Sequence, residues 1–311
     1  EYLKWTYEWI DAVIPKLKET GSFYIFLTWR FCPEIFSYIK TKFSSSNSTK
    51  YNTPALTGTI YNSHIFNANK LDKVKIALVS ENLIIQLTNN DELSIELYGN
   101  WNKKNELKIS FKNNILSMIQ KNKRKYNFSK RSVLVKIPSR ILSANTNYNI
   151  NIVSGSCDIS DIIANDINIE NVSGQTFLKT VESKETSIEN VSGRIQIEDS
   201  KINELDANVV SGTVNIEGLF DEISCEAVSG SINVYNKKDF ERDCEFSTVS
   251  GSIRIHLPSD TNAKLDCSTG SGTSFNEFTG TKSKELKEKI GLGNYEIEAE
   301  SITGSIEIRK N

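Results

Sequence analysis

The sequence predicts an all-β protein, a parallel β-helix (β-solenoid) with coils of about 19 residues, preceded by a short α/β fragment. The tripeptide Val-Ser-Gly recurs six times between Val153 and Gly251, and apolar and polar residues alternate after its glycines. Hydrophobic residues make up only 38% of the chain, which suits thin coils around a narrow apolar centre. Together these observations favour stacked repeats over a single globular core.

The first segment, residues 1–44, differs in composition from the rest. It predicts a helix over 2–18, a strand over 21–26 and a second helix over 33–42, followed by a linker over 45–54. Its stretches Trp5-Thr-Tyr-Glu-Trp9 and Gly21-Ser-Phe-Tyr-Ile-Phe26 resemble the region after the catalytic motif of DNA N4/N6 amino-methyltransferases. That resemblance covers residues 1–43. The family's Asp-Pro-Pro-Tyr and Phe-x-Gly-x-Gly motifs are missing from this sequence, so we expect no methylation and no bound cofactor.

The middle segment, residues 55–150, predicts irregular β coils or a cap on the solenoid. Five apolar-alternating strands are separated by turn signals. A cap is physically required, because the first repeat would otherwise expose a bare sheet edge. Pro138 and Pro258 each follow a strand and predict its end, since proline cannot donate to a β-ladder.

Residues 100–131 are strongly basic and predict a candidate anion-binding patch. Clustered cations attract phosphates and other polyanions, and retention on heparin would test this. The alternative is a lysine-rich loop that is merely solvated. The residues proposed for the patch are Lys121, Lys123, Arg124, Lys125, Lys130 and Arg131.

The region 151–311 carries the regular repeats. Copies such as Gly193-Arg-Ile-Gln-Ile197 and Gly212-Thr-Val-Asn-Ile216 place β-branched residues two and four positions after the glycine, and a second strand precedes it. Glycine at the corner predicts positive φ and close approach of the next coil. The serines are expected to form a structural ladder, because a nucleophile in six copies has no chemical rationale.

A longer interval separates Gly272 from Gly304. Its residues 282–290 predict a two-turn helix, or an excursion from the stack, because Leu286 and Ile290 are four positions apart. An insertion of this kind could serve as a contact surface, with a solvated loop as the plainer alternative.

Residues with reactive side chains predict no catalytic or metal site. Four of the five cysteines lie in the repeats at apolar positions, which favours small buried side chains over a disulfide or zinc framework. The two histidines, His64 and His256, are interpreted as strand or surface residues. The formal net charge of −2 predicts no general attraction to nucleic acid.

The Val-Ser-Gly and Gly-x-Ile-x-Ile repeats and the closing Thr303-Gly-Ser-Ile-Glu-Ile308 resemble the putative-adhesin family of bacterial β-strand-repeat domains of unknown function, over about residues 55–311. The resemblance implies a non-catalytic binding or scaffolding module that presents an elongated face to a protein, glycan or cell-envelope partner, with end-to-end self-association as a further expectation. The alternative is an inactive methyltransferase remnant fused to such a module.

Localisation is open at the sequence level. No apolar run is long enough for a membrane-spanning helix, and residue 1 is not followed by a signal-peptide pattern. As it stands the chain is predicted to be cytoplasmic, and to be cell-envelope associated if its natural start lies further upstream.

Overall fold

The computed structural model describes residues 56, 58–101, 107–120 and 131–311. These residues belong to one compact unit, Pro54–Asn311. The predicted α/β fragment and linker, residues 1–44 and 45–54, lie outside the described residues.

The described residues are all-β and solenoid-like. Twenty strands form one hydrogen-bonded sheet that winds around an apolar centre. In chain order the first ten strands are β1 Ile60–Phe66, β2 Lys73–Leu78, β3 Glu81–Thr88, β4 Leu93–Tyr98, β5 Leu107–Lys112, β6 Ile115–Gln120, β7 Arg131–Pro138, β8 Asn147–Ser154, β9 Cys157–Ser160 and β10 Ile163–Ser173. The others are β11 Thr176–Lys179, β12 Glu182–Asn236, β13 Cys244–Ser250, β14 Ile253–Leu257, β15 Ala263–Thr269, β16 Ser274–Asn276, β17 Thr281–Ser283, β18 Glu285–Lys289, β19 Tyr295–Thr303 and β20 Ile306–Lys310.

Each coil of the stack consists of a strand before a glycine corner and a strand after it. Ile169 on β10 pairs in parallel with Ile150 on β8 and with Ile188 on β12, so residues 19 positions apart become neighbours. All three side chains are fully buried. The β-branched residues therefore stack into an apolar ladder, and the polar residues between them point outward.

The long strand β12 is a continuous run of extended backbone that turns at three glycine corners. Gly193, Gly212 and Gly230 each have a positive φ, and each lies against the backbone of the preceding corner. The assigned strand is thus a stack of coils joined without breaks.

Coils at the two ends of the stack are not in chain order. The coil of β2 and β3 lies between that of β6 and β7 on one side and that of β8 and β9 on the other. At the opposite end, the last coil, β19 and β20, is inserted between β13 and β14 on one side and β15 and β16 on the other. A repeat sequence alone does not indicate such an exchange.

Antiparallel strands cover the outermost coils. Strand β5 pairs with β6, and β4 pairs with β7 and carries β1 on its far side. At the other end, β18 pairs with β15 and β17 with β16. Antiparallel strands thus lie against the outermost coil both in the middle segment and near residue 311.

The helix predicted over 282–290 is wrong, because this segment forms β17 and β18. Leu286 is buried against β15, opposite Cys267, and Ile290 is also buried. A spacing of four positions fits the two-residue period of a strand as well as a helical turn, so the pattern was ambiguous. Pairing with the edge of β15 decides in favour of the strand.

The two prolines end strands as predicted. Strand β7 ends at Pro138, which is followed by a 3-10 turn over Ser139–Ile141, and β14 ends one residue before Pro258.

Candidate interaction surface

The glycine corners bring the backbones of successive coils into direct contact. The backbone φ angle is +140° at Gly193 and +153° at Gly230. Residues that carry a side chain rarely adopt such values. A Cβ atom added at Gly193 would overlap the carbonyl oxygen of Gly174, and Gly230 has the same relation to Gly212. The predicted role of the repeat glycines as spacing residues is confirmed.

One copy of the corner motif escaped the sequence analysis because its glycine is replaced. Val79-Ser80-Glu81 joins β2 to β3, as Val-Ser-Gly joins the later strands, and the carbonyl of Glu81 lies against Gly155. The amide of Ser154 donates to the carbonyl of Val79, which aligns the two corners. The dipeptide Val-Ser before a strand was the signal that could have revealed it.

The corner serines are aligned, as expected for a structural ladder. Ser173 pairs in register with Ser154 and Ser192, and all three are exposed. Within the described ranges, no hydrogen bond joins the hydroxyls of two Val-Ser-Gly serines. The serines are therefore aligned by the pairing of the backbones and not by hydrogen bonds between their hydroxyl groups.

The corner valines form an exposed aliphatic column, which we call the valine ladder. Its valine members are 46–50% exposed, although the strands on either side bury alternate side chains almost completely. Ile302 continues the column with 61% exposure, and Gly270 occupies the equivalent position in the coil of β15 and β16. The ladder consists of Val153, Val172, Val191, Val210, Val228, Val249 and Ile302.

Carboxylates flank the valine ladder on the same outer surface, which we call the acidic face. They lie four and six positions before the repeat glycines, so they point outward together with the valines. Burial and the neighbouring Glu189 and Glu204 raise the pKa of Asp206, against a hydrogen bond from Asn208 that lowers it. These carboxylates are Glu170, Glu189, Asp206, Glu226, Glu245, Asp266, Glu298 and Glu300.

A groove of about 390 Å³ lies where the valine ladder meets the acidic face. Val228, Val249 and Ile302 form its apolar wall, and Glu226 and Glu300 line it as well. Gly270, where the ladder lacks a side chain, lines the groove as well.

The outer surface of the strands that follow the glycines, which we call the polar face, has a different character. Asn233 donates through Nδ2 to Oδ1 of Asn215 at 3.0 Å, and the rings of Tyr235 and His256 stack with centroids 5.5 Å apart. Arg254 forms an ion pair with Glu307 at 2.9 Å. A groove of about 280 Å³ runs across these side chains.

The predicted anion-binding patch is described at only one of its residues. Arg131 is buried, pairs with the buried Glu81 at 2.5 Å and lies 4.9 Å from the ring centre of Trp101. The guanidinium of Arg131 is therefore buried beside Glu81 and Trp101 and does not lie in a solvated patch. Lys121, Lys123, Arg124, Lys125 and Lys130 lie outside the described residues, so the rest of the patch stays a prediction.

Reactive side chains have the roles expected of structural residues. Cys157, Cys225, Cys244 and Cys267 are free and buried, and burial raises the pKa of each thiol, to about 12 for Cys244 and Cys267. His64 lies on β1 and His256 on β14. Across 58–101, 107–120 and 131–311, no group of three or more His, Cys, Asp or Glu residues could hold a metal ion.

Parallel coils, glycine corners and an exposed aliphatic column define a β-solenoid-like repeat protein. The family model Toastrack DUF4097 matches residues 71–309, more than half of the chain. The chain belongs to this family. Because the match begins at residue 71, it lends no support to the predicted methyltransferase fragment.

Two solved structures are similar to this chain. A putative adhesin from Bacteroides fragilis is 12% identical, with 81% of this chain and 98% of that chain covered and a TM-score of 0.50. A putative adhesin from Parabacteroides distasonis is 14% identical over the same shares, with a TM-score of 0.48. At these identities the likeness shows the fold alone. No curated protein matches the chain.

Among the described residues, no helix has the length and hydrophobicity that spanning a bilayer requires.

Proposed function

We propose that this chain is a non-catalytic, adhesin-like binding module whose valine ladder and acidic face receive a polypeptide partner. The observation that carries the proposal is the exposure of the ladder, from Val153 to Ile302. Contiguous apolar surface is rare on soluble monomers and marks interaction sites. In this proposal, residues about 19 positions apart belong to successive coils of a parallel β-helix. Such a helix offers the same contact to the partner at each coil.

The chemistry of the surface defines the partner. Aliphatic side chains would pack along the valine ladder, and basic side chains would pair with Glu226 and Glu300 at the edge of the groove. We therefore expect an extended segment in which aliphatic residues alternate with lysine or arginine along the one face that meets this surface. Coils are about 4.8 Å apart and side chains on one face of a strand are about 7 Å apart, so every second side chain of that face would meet every third coil, about 14 Å further along the stack.

The solved structure from Bacteroides fragilis carries the description putative adhesin, and a binding role for this chain would be compatible with that description. The alternative, an inactive methyltransferase remnant fused to the module, concerns residues 1–43, which lie outside the described residues, and the family match lends it no support. A partner at the cell envelope would be compatible with the same surface, and end-to-end self-association would use the outermost strands β1, β5, β17 and β18.

Binding of defined peptides tests the proposal. Fluorescence anisotropy would follow the full chain with a labelled extended peptide of alternating leucine and lysine, beside the same peptide with glutamate for lysine. We expect the basic peptide to bind and the acidic one not to bind.

A pair of matched variants locates the site. The triple change Val210→Ser, Val228→Ser and Val249→Ser should weaken binding of the basic peptide at least about tenfold. The control Ile65→Ser, Ile119→Ser and Leu292→Ser removes the same number of exposed aliphatic side chains elsewhere. Equal affinity of both triple variants, or no binding of the basic peptide, would refute the proposal.

A further inference from the structure

A second groove lies on the polar face, and its chemistry differs from that of the acidic face. It crosses four successive coils, from Gln196 through Asn215 and Asn233 to Arg254. Its volume of about 280 Å³ is near the lower end of the range for small-molecule sites. A ligand of a few rings could lie along it.

Paired amides form one part of the groove. The hydrogen bond from Asn233 to Asn215 uses one N–H of the Asn233 amide and the oxygen of the Asn215 amide. The amide nitrogen of Asn215 and the amide oxygen of Asn233 have no protein partner within the described part of the chain. They offer donors and an acceptor, side by side, to a ligand with hydroxyl groups.

An aromatic pair forms the second part. The rings of Tyr235 and His256 lie one coil apart, with an angle of 29° between their planes, and Tyr235 is 38% exposed. Burial and the nearby Arg254 and Arg309 lower the pKa of His256, so the ring stays uncharged at neutral pH. The two rings cover one face of each other, which leaves the opposite face of Tyr235 as a neutral stacking surface for a ligand.

Two of the three charged residues that line the groove, Glu217 and Arg254, are paired with an opposite charge, and the third, Glu198, accepts a hydrogen bond from Gln196 at 2.7 Å. Lys237 lies 2.6 Å from Glu217 and 3.0 Å from Asp199. Glu307 pairs with Arg254 at 2.9 Å and with Arg309 at 3.0 Å. A phosphate or a polyanion would have to displace these partners, whereas an uncharged ligand would not.

From these three features we infer that the polar face binds a neutral saccharide in the groove formed by Asn215, Asn233, Tyr235, Arg254 and His256. One sugar ring would stack on Tyr235 through its apolar CH face, and the hydroxyls of the next ring would meet the amides of Asn233 and Asn215. The coil spacing of about 4.8 Å is close to the length of one sugar unit in an extended chain, so neighbouring rings can meet neighbouring coils. This site is independent of the peptide surface proposed above.

An array of short neutral oligosaccharides, built from hexoses and N-acetylhexosamines and probed with the full chain, tests the inference. We expect retention on neutral sugars that persists in high salt, and the best binder would then be titrated by calorimetry. An array on which no neutral sugar is retained would overturn the inference, as would binding to anionic sugars alone.

Variants of the aromatic surface then identify the site. Tyr235→Ala should weaken binding of the best neutral sugar at least about tenfold, and Tyr235→Phe should retain most of it, because the ring supplies the stacking surface. Asn215→Ala tests the amide contact and should weaken binding several-fold. Tyr61→Ala removes another exposed tyrosine, on β1, and serves as the control. Equal affinities for Tyr235→Ala and Tyr61→Ala would place the sugar elsewhere and refute the assignment.

Discussion

Gly193 and Gly280 both have a positive φ, but only Gly193 is crowded. A Cβ at Gly193 would overlap the backbone of Gly174, whereas nothing lies within 4 Å of a Cβ built at Gly280. The repeat therefore requires glycine for two reasons, which are the backbone conformation and the close approach of the preceding coil. Substitutions at these two residues separate the two reasons.

The change Gly193→Ala should destabilise the protein by about 3 kcal/mol or more, because two coils must move apart to accommodate the methyl group. Gly280→Ala should cost only about 1 kcal/mol, the penalty of the left-handed conformation itself. Urea unfolding followed by circular dichroism would measure both. Similar losses for the two variants would show that conformation alone explains the repeat glycine.

Asp158 is a second residue whose environment differs from its sequence pattern. It lies at an outward position of β9 but is only 3% exposed, and its Oδ2 has no hydrogen-bond partner among the described residues. Burial raises its pKa to about 6, against the attraction of Lys179. Between about pH 4 and pH 6 the folded state holds a proton that the unfolded state has lost, so stability falls as the pH rises through this window.

We therefore expect Asp158→Asn to stabilise the protein at pH 7, by about 2 kcal/mol, because the buried charge is removed. At pH 4 the same variant should be almost neutral, since the carboxyl of the folded state is already protonated. Unfolding by urea at both pH values would test this, with Asp260→Asn, an exposed carboxyl, as the control. An effect of equal size at pH 4 and pH 7 would contradict the role of the charge.

Among the elements, strand β19 lies near the end of the chain but inside the stack. It pairs with β13 on one side and with β15 on the other, whereas β18 pairs with β15 only. Termini usually fray, but an element that is hydrogen-bonded on both sides opens only with its neighbours. Position in the stack, rather than position in the sequence, should therefore decide local stability.

Native-state hydrogen exchange tests this expectation. Amides of β19 should exchange at least about tenfold more slowly than those of β18, and as slowly as those of β10 in the middle of the stack. Rates in β19 that resemble a frayed terminus would show that the inserted coil is held only loosely.

The sequence predicted the elements of the regular repeats well, because apolar alternation and the glycine period both express the same stacking. It could not predict coil order, since β15 and β19 offer equivalent edges to β13 and only the three-dimensional pairing distinguishes them. The spacing of Leu286 and Ile290 likewise left a helix and an excursion from the stack as alternatives for 282–290, and pairing with β15 excludes the helix. Arg131 was placed in a basic patch because its partner, Glu81, lies far away in the sequence.

The candidate site was only partly predictable. Exposure of the valine ladder could not be read from Val-Ser-Gly, because Val153 lies two positions before a corner whose direction depends on the fold. The acidic face could be predicted from the glycine period, because its carboxylates lie at fixed positions before the repeat glycines. The aromatic pair on the polar face gave no signal, since Tyr235 and His256 are 21 positions apart in single copies of the repeat.

At the scale of the described unit, the two outer faces differ in charge. The acidic face carries carboxylates in successive coils, while Lys237, Arg254 and Arg309 on the polar face are paired with carboxylates. Salt screens attraction between exposed charges but has little effect on stacking or on hydrogen bonds between neutral groups. Ionic strength should therefore separate the two proposed binding activities.

Raising the salt concentration from about 0.1 M to about 1 M shortens the Debye length from about 10 Å to about 3 Å. We expect affinity for the leucine–lysine peptide to fall at least about tenfold over this range, because its basic side chains pair with exposed carboxylates. Affinity for the neutral sugar should change less than about twofold, since no net charge is brought together in its groove. Calorimetric titrations of both ligands at the two salt concentrations would provide the comparison. Equal salt dependence of the two ligands would mean that they share one surface, and the assignment of a separate partner to each face would then be wrong.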